Sequence, residues 1–294
     1  MYKIISNATS ANIGPGFDCL GICFNVGNTI RVEEYDDCVI INHHADTVRN
    51  KNNLIVKSMY QAADIIGYNL KGVNLEVKTN IPLSRGLGSS ASCIAAGVAA
   101  TFLLSGNVPV KSDIFEIATN IEGHPDNVAA NIFGGLNLAY QQGDKHRCIQ
   151  YQIDKKFRFI AIVPNFSLST VKAREVLPDK YGREDVVYNI AKVSTLITAL
   201  QLGNSKLLAD SLDDKLHQPY RKELISDYDQ IVEIAKSCGA VGTYISGAGP
   251  TIMAIADSSD VLGKIQAKID AEQPNWSATD MSVSYEGIEC FKIK

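Results

Sequence analysis

The sequence predicts an α+β fold in two domains, and three observations carry that prediction. The first 80 residues read mainly as strands and turns interrupted by one helix. A glycine-rich connection then opens an alanine-rich helix, and the second half runs strand, helices, hairpin, helix, strand, the order of an α+β sandwich. At 294 residues the chain also lies near the upper size for a single hydrophobic core. A break in "IDKKF" divides it into domains 1–155 and 156–294.

Each element follows from its residues. "YKIISNAT" and "NTIRVEEY" are rich in β-branched and aromatic residues, and "VNLEVKTN" alternates apolar with polar through Val73, Leu75 and Val77, so all three predict strands. "NLIVKSMYQAADIIG" predicts a helix ended by Gly67. "SSASCIAAGVAATFLLSG" predicts a helix closed by Gly106, with Ala91, Ala95, Ala99 and Phe102 on one stripe small enough to approach a sheet closely. "SDIFEIATNIEG" predicts a helix from an N-cap at Ser112 to Gly123, with Ile114, Ile117, Ala118 and Ile121 on its apolar face and Glu116 opposite. "GGLNLAYQQGDK" reads as a hairpin. Then come strand "RFIAIVPNF", helical stretches from about 184 to 237, the β-turn-β unit "VGTYISGAGPTIMAIAD", helix "VLGKIQAKIDAE" and closing strands "MSVSYEG" and "IECFKIK".

Composition narrows the function. The chain is 46% hydrophobic and 20% charged, that of an ordinary globule, and its net charge of −4 offers no basic field to nucleic acid or an anionic membrane. No run of apolar residues is long enough to span a bilayer, and the N-terminus lacks an apolar signal core. The seven cysteines (Cys19, Cys23, Cys38, Cys93, Cys148, Cys238, Cys290) are odd in number and form no CxxC pair, which implies reduced thiols and a cytoplasmic location rather than a zinc site.

Three glycine segments remain. "SANIGPGFDCLG" (10–21) puts Cys19 where a dinucleotide-binding GxGxxG needs its third glycine, and strand rather than helix follows it. It is either a plain turn or a rigid Gly-Pro-Gly turn presenting Asn12 and Asp18 to a small polar ligand. "PLSRGLGSSAS" (82–92) lacks the lysine of a Walker A loop. It is either a serine-capped strand-to-helix connection or an anion site of backbone amides at a helix N-terminus, with Ser90 able to offer a hydroxyl to Mg²⁺. "SGAGPT" (246–251), taken alone, is a tight hairpin turn.

Together and in this order, the three segments resemble the signature motifs of the GHMP kinases, the superfamily of galactokinases, homoserine kinases, mevalonate kinases and phosphomevalonate kinases. The match spans residues 10 to 251. "GPGFDCLG", "EGHPDNVA" (122–129), "STVKAREVLP" (169–178) and "HQPYR" (217–221) resemble the homoserine kinase branch. The resemblance implies an N-terminal domain like ribosomal protein S5 domain 2, a ferredoxin-like C-terminal domain, a homodimer, and ATP-dependent phosphorylation of the L-homoserine hydroxyl in threonine biosynthesis. A mevalonate-type kinase and a catalytically silent sensor of the same fold are the alternatives.

The resemblance also implies roles. ATP lies on Pro82, Leu83, Ser84, Arg85, Gly86, Leu87, Gly88, Ser89, Ser90, Ala91 and Ser92. Mg²⁺ is held by Ser90 and a glutamate, Glu116 by its spacing from the motif histidine, with Glu122 as runner-up. Homoserine is met by Asn12, Asp18, His124, Asn127, Arg174 and Arg221; Asp18 suits its ammonium and the two arginines its carboxylate. Ser90, Asn127 and Arg174 carry catalytic roles. Asn127 stands where mevalonate and galactokinase relatives place a basic aspartate, and asparagine accepts no proton at neutral pH. Phosphoryl transfer, governed mostly by positioning and charge, tolerates this, so we expect Asn127 to orient the hydroxyl and the proton to pass to a γ-phosphate oxygen, with Asp126 pointing elsewhere.

Overall fold

The computed structural model describes residues 1–37, 39–42 and 52–293. Cys38 and Lys294 therefore lie outside the described residues. The chain begins with β1 (Tyr2–Asn12) and β2 (Gly16–Tyr35), an antiparallel ribbon whose register shifts between Asn7 and Thr9 and again between Ala11 and Asn12. Such irregularities bend a ribbon. The far half of β2 pairs with β4 (Gly72–Lys78), which runs parallel to β3 (Val39–Asn42). Its near half pairs with β5 (Leu136–Gln142), which continues into β6 (Lys145–Tyr151) through the predicted hairpin.

Helices cover one face of this sheet: α1 (Leu54–Ile66), α2 (Ser89–Leu104), α3 (Lys111–Glu122) and α4 (Asp126–Phe133). Val73, Leu75 and Val77 turn inward, as their alternation requires, and pack with these helices in one core. The single stripe expected on α2 is too narrow. Every residue from Ile94 to Phe102 is buried, because α2 is enclosed by β1, α1, α3 and α4. Helix α1 ends at Gly67 and α3 at Gly123, both left-handed as expected. The expected N-cap at Ser112 is corrected: α3 starts a turn-edge earlier, after extended Val110, with no side-chain cap.

The second sheet has strand order β10-β7-β9-β8, formed by β7 (Arg158–Pro164), β8 (Gly242–Ile245), β9 (Ile252–Ala256) and β10 (Trp276–Met281), all antiparallel. Between β7 and β8 run α5 (Thr170–Glu175), α6 (Arg183–Leu202), α7 (Ser205–Ser211), α8 (Gln218–Arg221) and α9 (Tyr228–Ser237); α10 (Val261–Glu272) joins β9 to β10. Strand alternation splits the side chains between two cores. Ile160 and Ile162 of β7 join α9 and α10, whereas Phe159 and Ala161 join Leu20, Ile22 and Phe24 of β2 and Leu196 and Leu200 of α6. The latter core fuses the two sheets.

Three further departures concern the elements. Helices α4 and α5 carry no expectation from the sequence reading. The strand expected at "MSVSYEG" ends at Met281, having started at Trp276. The last strand, β11 (Glu289–Lys292), pairs with β1 in the first sheet, so a simple division at 155 does not hold for the C-terminal residues.

Candidate active site

The three glycine segments meet. Gly247 N–H donates to Ala11 O (3.1 Å), and Asn12 Nδ2 donates back to Gly247 O (2.8 Å). Ser246 Oγ donates to Gly86 O (2.6 Å) and pairs with Ser10 Oγ (2.6 Å). A Cβ on Gly86 would lie 2.3 Å from Ser246 O, so the second segment requires glycine where the third presses against it. "SGAGPT" is thus both a hairpin turn and the clasp between the other two segments.

Their junction walls a cleft of about 360 Å³. At one end, α2 starts after Gly88, whose φ is 67°, and among the described residues no side chain caps its first-turn amides. Those N–H groups and the positive end of the helix dipole lie at the cleft, an arrangement able to bind an anion. Gly88 is needed on two counts, since its Cβ would also fall 1.8 Å from Thr9 Oγ1. The loop's own cation is engaged elsewhere. Arg85 donates through Nε to Pro164 O, through Nη1 to Leu83 O and through Nη2 to Asn165 O. Of the expected loop residues, Leu83, Ser84, Arg85, Gly86, Gly88, Ser89 and Ser90 line the cleft. Leu87 and Ala91 are buried in the two cores, Ser92 Oγ donates inward to Ser6 O, and Pro82 lines a neighbouring recess.

Ser90 Oγ donates to Glu122 Oε2 at 2.7 Å. Burial raises the Glu122 pKa above that of an ordinary glutamate, and the Ser90 hydrogen bond only partly opposes this. The expectation for Glu116 is corrected: it lies off the cleft, where its carboxylate accepts from His146 N (2.9 Å) and meets His146 Nδ1 (3.2 Å). Burial works against the Glu116 charge, but the hydrogen bonds and charge from His146 prevail and its pKa is lowered.

The other end of the cleft is zwitterionic. Arg174, on α5, donates both Nη atoms to the Asp18 carboxylate at 3.0 and 2.9 Å. That fork, Asp18 first, raises the Arg174 pKa. Asp18 is itself positioned by its N–H to Asn12 Oδ1 (2.9 Å) and has φ 54°, a conformation open to aspartate at modest cost. Arg221 is buried, with Nε on Ala173 O (3.1 Å) and Nη1 on Gly247 O (2.9 Å). Burial lowers its pKa to about 10, which leaves it charged at neutral pH.

Between the two ends, Asn127 Oδ1 accepts from Thr9 Oγ1 (2.7 Å), so its Nδ2 donors are the polar atoms left for the cleft. His124 Nδ1 sits 2.7 Å from Asp126 Oδ1. Burial disfavours the imidazolium, yet Asp126 and Glu122 outweigh it and raise the His124 pKa. Asp126 does not point elsewhere. It lines the cleft, takes Asn127 N–H at 2.7 Å, and its carboxylate converges with those of Asp18 and the ring of His124 within 4.8 Å. Thr9 and Asp126 are the residues that sequence reasoning missed. Adjacency to Asn127 was the available signal for Asp126, and only the first turn of α4 shows where its side chain goes. Cys93 also lines the cleft, but burial pushes its thiol up to about 12.

Comparison with known proteins identifies the fold and the family. Residues 53–135 match the family model of the GHMP kinases N terminal domain, and residues 196–275 that of the GHMP kinases C terminal domain. A homoserine kinase of Clostridium botulinum is 39% identical over 297 residues, covering 100% of this chain and 99% of that protein. The crystal structure of homoserine kinase from Cytophaga hutchinsonii superposes with a TM-score of 0.85 at 27% identity, covering 98% of this chain and 96% of that one. The L. major mevalonate kinase, solved with R-mevalonate, shares the fold with a TM-score of 0.75 at 18% identity and coverage of 96% of each chain. The first turn of α2, with Ser90 and the facing Glu122, falls within the matched N-terminal domain, and with a relative 39% identical along its whole length the chain belongs to the GHMP kinases, within their homoserine kinase family.

Proposed function

We propose that the protein transfers the γ-phosphoryl group of ATP to the side-chain hydroxyl of L-homoserine, giving O-phospho-L-homoserine. The observation that carries this reading is the division of the cleft: an anion site at the start of α2 at one end, and Asp18, Arg174 and Arg221 at the other, with Asn127 between. A ligand with a free α-amino and α-carboxylate group matches the charged end, Asp18 and Asp126 suiting the ammonium and the two arginines the carboxylate. Mevalonate has no ammonium for Asp18.

The first-turn amides of α2, Gly86 and Gly88 would cradle the phosphates of ATP. Ser90 Oγ and the Glu122 carboxylate, 2.7 Å apart, form a hard oxygen pair suited to Mg²⁺. Bound there, Mg²⁺ would neutralise the charge of the transferring phosphate oxygens. Asn127 Nδ2 donates to the substrate hydroxyl oxygen and leaves the hydroxyl proton facing the phosphoryl group. Transfer through a loose transition state is then governed by positioning and charge, and a γ-phosphate oxygen takes the proton. A cytoplasmic homodimer completes the reading, tested by fractionation and sedimentation.

The deciding experiment couples ADP release to a spectroscopic readout, with L-homoserine or mevalonate as acceptor, in the presence and absence of Mg²⁺. ADP release dependent on both L-homoserine and Mg²⁺ supports the reading. Release with mevalonate alone, or none with either, overturns it.

A further inference from the structure

The segment "HQPYR" contributes more than Arg221. His217 is fully buried just before α8, its ring stacked on Phe17 at 5.2 Å and 21°. Its Nε2 lies 2.8 Å from Gly14 O, which can only accept, so Nε2 carries the hydrogen. Nδ1 is then an acceptor, and it stands 3.3 Å from Arg221 Nη1. One neutral tautomer satisfies both contacts. Arg221 Nε and Nη1 are held by Ala173 O, Gly247 O and His217, which leaves Nη2 as the guanidinium nitrogen without a hydrogen bond among the described residues.

Asp214 secures the histidine from behind. Its Oδ2 accepts from the N–H groups of His217 (2.9 Å) and Gln218 (2.7 Å). Its Oδ1 accepts from Leu216 N–H (3.0 Å) and Asn189 Nδ2 (2.7 Å), and that amide also reaches Pro15 O (3.2 Å). The network therefore ties α6 and α8 to the Gly-Pro-Gly turn that carries Asp18. The charged groups facing His217 are Asp214, Arg221 and Asp18. Burial, opposed chiefly by Asp214, holds its pKa well below the ordinary imidazole value, in keeping with a neutral ring.

We propose that His217 is a positioning residue for recognition of the substrate carboxylate: its Nε2–H, held on Gly14 O, fixes the tautomer whose Nδ1 accepts from Arg221 and orients that guanidinium so that Nη2 faces the cleft. The inference rests on the reading of L-homoserine as substrate. Two substitutions separate the two contacts, because the glutamine amide reaches the position of Nε2 and the asparagine amide that of Nδ1. His217→Gln keeps the link to Gly14 and loses the acceptor for Arg221. The KM for L-homoserine should rise about tenfold to a hundredfold, the scale of one hydrogen bond to a charged group, while the KM for ATP moves less than about twofold. His217→Asn, which restores the acceptor, should recover most of that loss. An unchanged KM for L-homoserine in His217→Gln, a parallel rise for ATP, or equal impairment in both variants overturns the proposal. Should neither variant fold, nitrogen NMR of the parent imidazole at neutral pH decides. The Nε2–H tautomer supports the proposal, and an imidazolium or the Nδ1–H tautomer overturns it. A parent chain that releases no ADP with L-homoserine contradicts the proposed function, whereas the NMR result reads His217 independently.

Discussion

Glu116 and Glu122 share one helix and have opposite surroundings. They are six residues apart, which at 3.6 residues per turn rotates them by about 240°, so one cannot replace the other at Ser90. Glu122→Gln should lower turnover by about a hundredfold or more, the scale of losing a group that organises transition-state charge, whereas Glu116→Gln should stay within about twofold; steady-state rates across a Mg²⁺ titration check both. A second outcome concerns stability. Burial raises the folded-state pKa of Glu122, so the folded protein holds that proton more tightly than the unfolded chain. The stabilising contribution is full below the unfolded value and is lost as pH rises through the folded one. In metal-free protein at neutral pH, Glu122→Gln should therefore melt no lower than the parent, and any advantage should vanish in acid. Calorimetry at the two pH values tests this. Spacing along the sequence pointed to Glu116; the rotation of α3 decided for the position beside Ser90.

At the scale of elements, α2 is distinctive because it is mostly small residues and mostly buried. Its Gly97 shows why. A Cβ there would lie 2.5 Å from Ile55 O and 2.9 Å from Ser58 Cβ, both on α1. Gly97→Ala gains about 1 kcal/mol of helix propensity, but overpacking costs about 1–3 kcal/mol, and backbone is the harder neighbour to move. The variant should be destabilised by about 1 kcal/mol or more, read as a melting temperature lower by a few degrees. A higher melting temperature would show that α1 yields. Legibility was uneven among helices for a related reason. Helices α1 and α3 announce themselves by periodicity and a terminal glycine. Helices α4 and α5 have 8 and 6 residues, too short to hold in isolation, and form because the cleft and core pack around them.

For the whole molecule, the return of the chain to its first sheet matters most. Strand β11 pairs with β1, and Ile288 just before it is buried in the core beneath α2 and α4. Removing residues 287–294 would expose a sheet edge and uncover that core. The truncated chain should lose about 3 kcal/mol or more, from one buried isoleucine and several strand hydrogen bonds, and a urea titration should show the lower midpoint. Activity would fall with it, although none of the described residues among them lines the cleft.

The sequence by itself determined the α+β class, most strands and long helices, and the three glycine segments, because each depends on local periodicity, turn chemistry or motif order. It also supplied Ser90, Asp18, Asn127, Arg174 and Arg221, which the fold gathers in one cleft. Only the tertiary structure decided that Glu122 rather than Glu116 faces Ser90, that Asp126 turns into the cleft, that Arg174 closes on Asp18, and that "SGAGPT" clasps the other two segments. Those outcomes depend on contacts between residues tens to hundreds of positions apart, whose directions are set by helix rotation and sheet register and are not written in any local stretch of the chain.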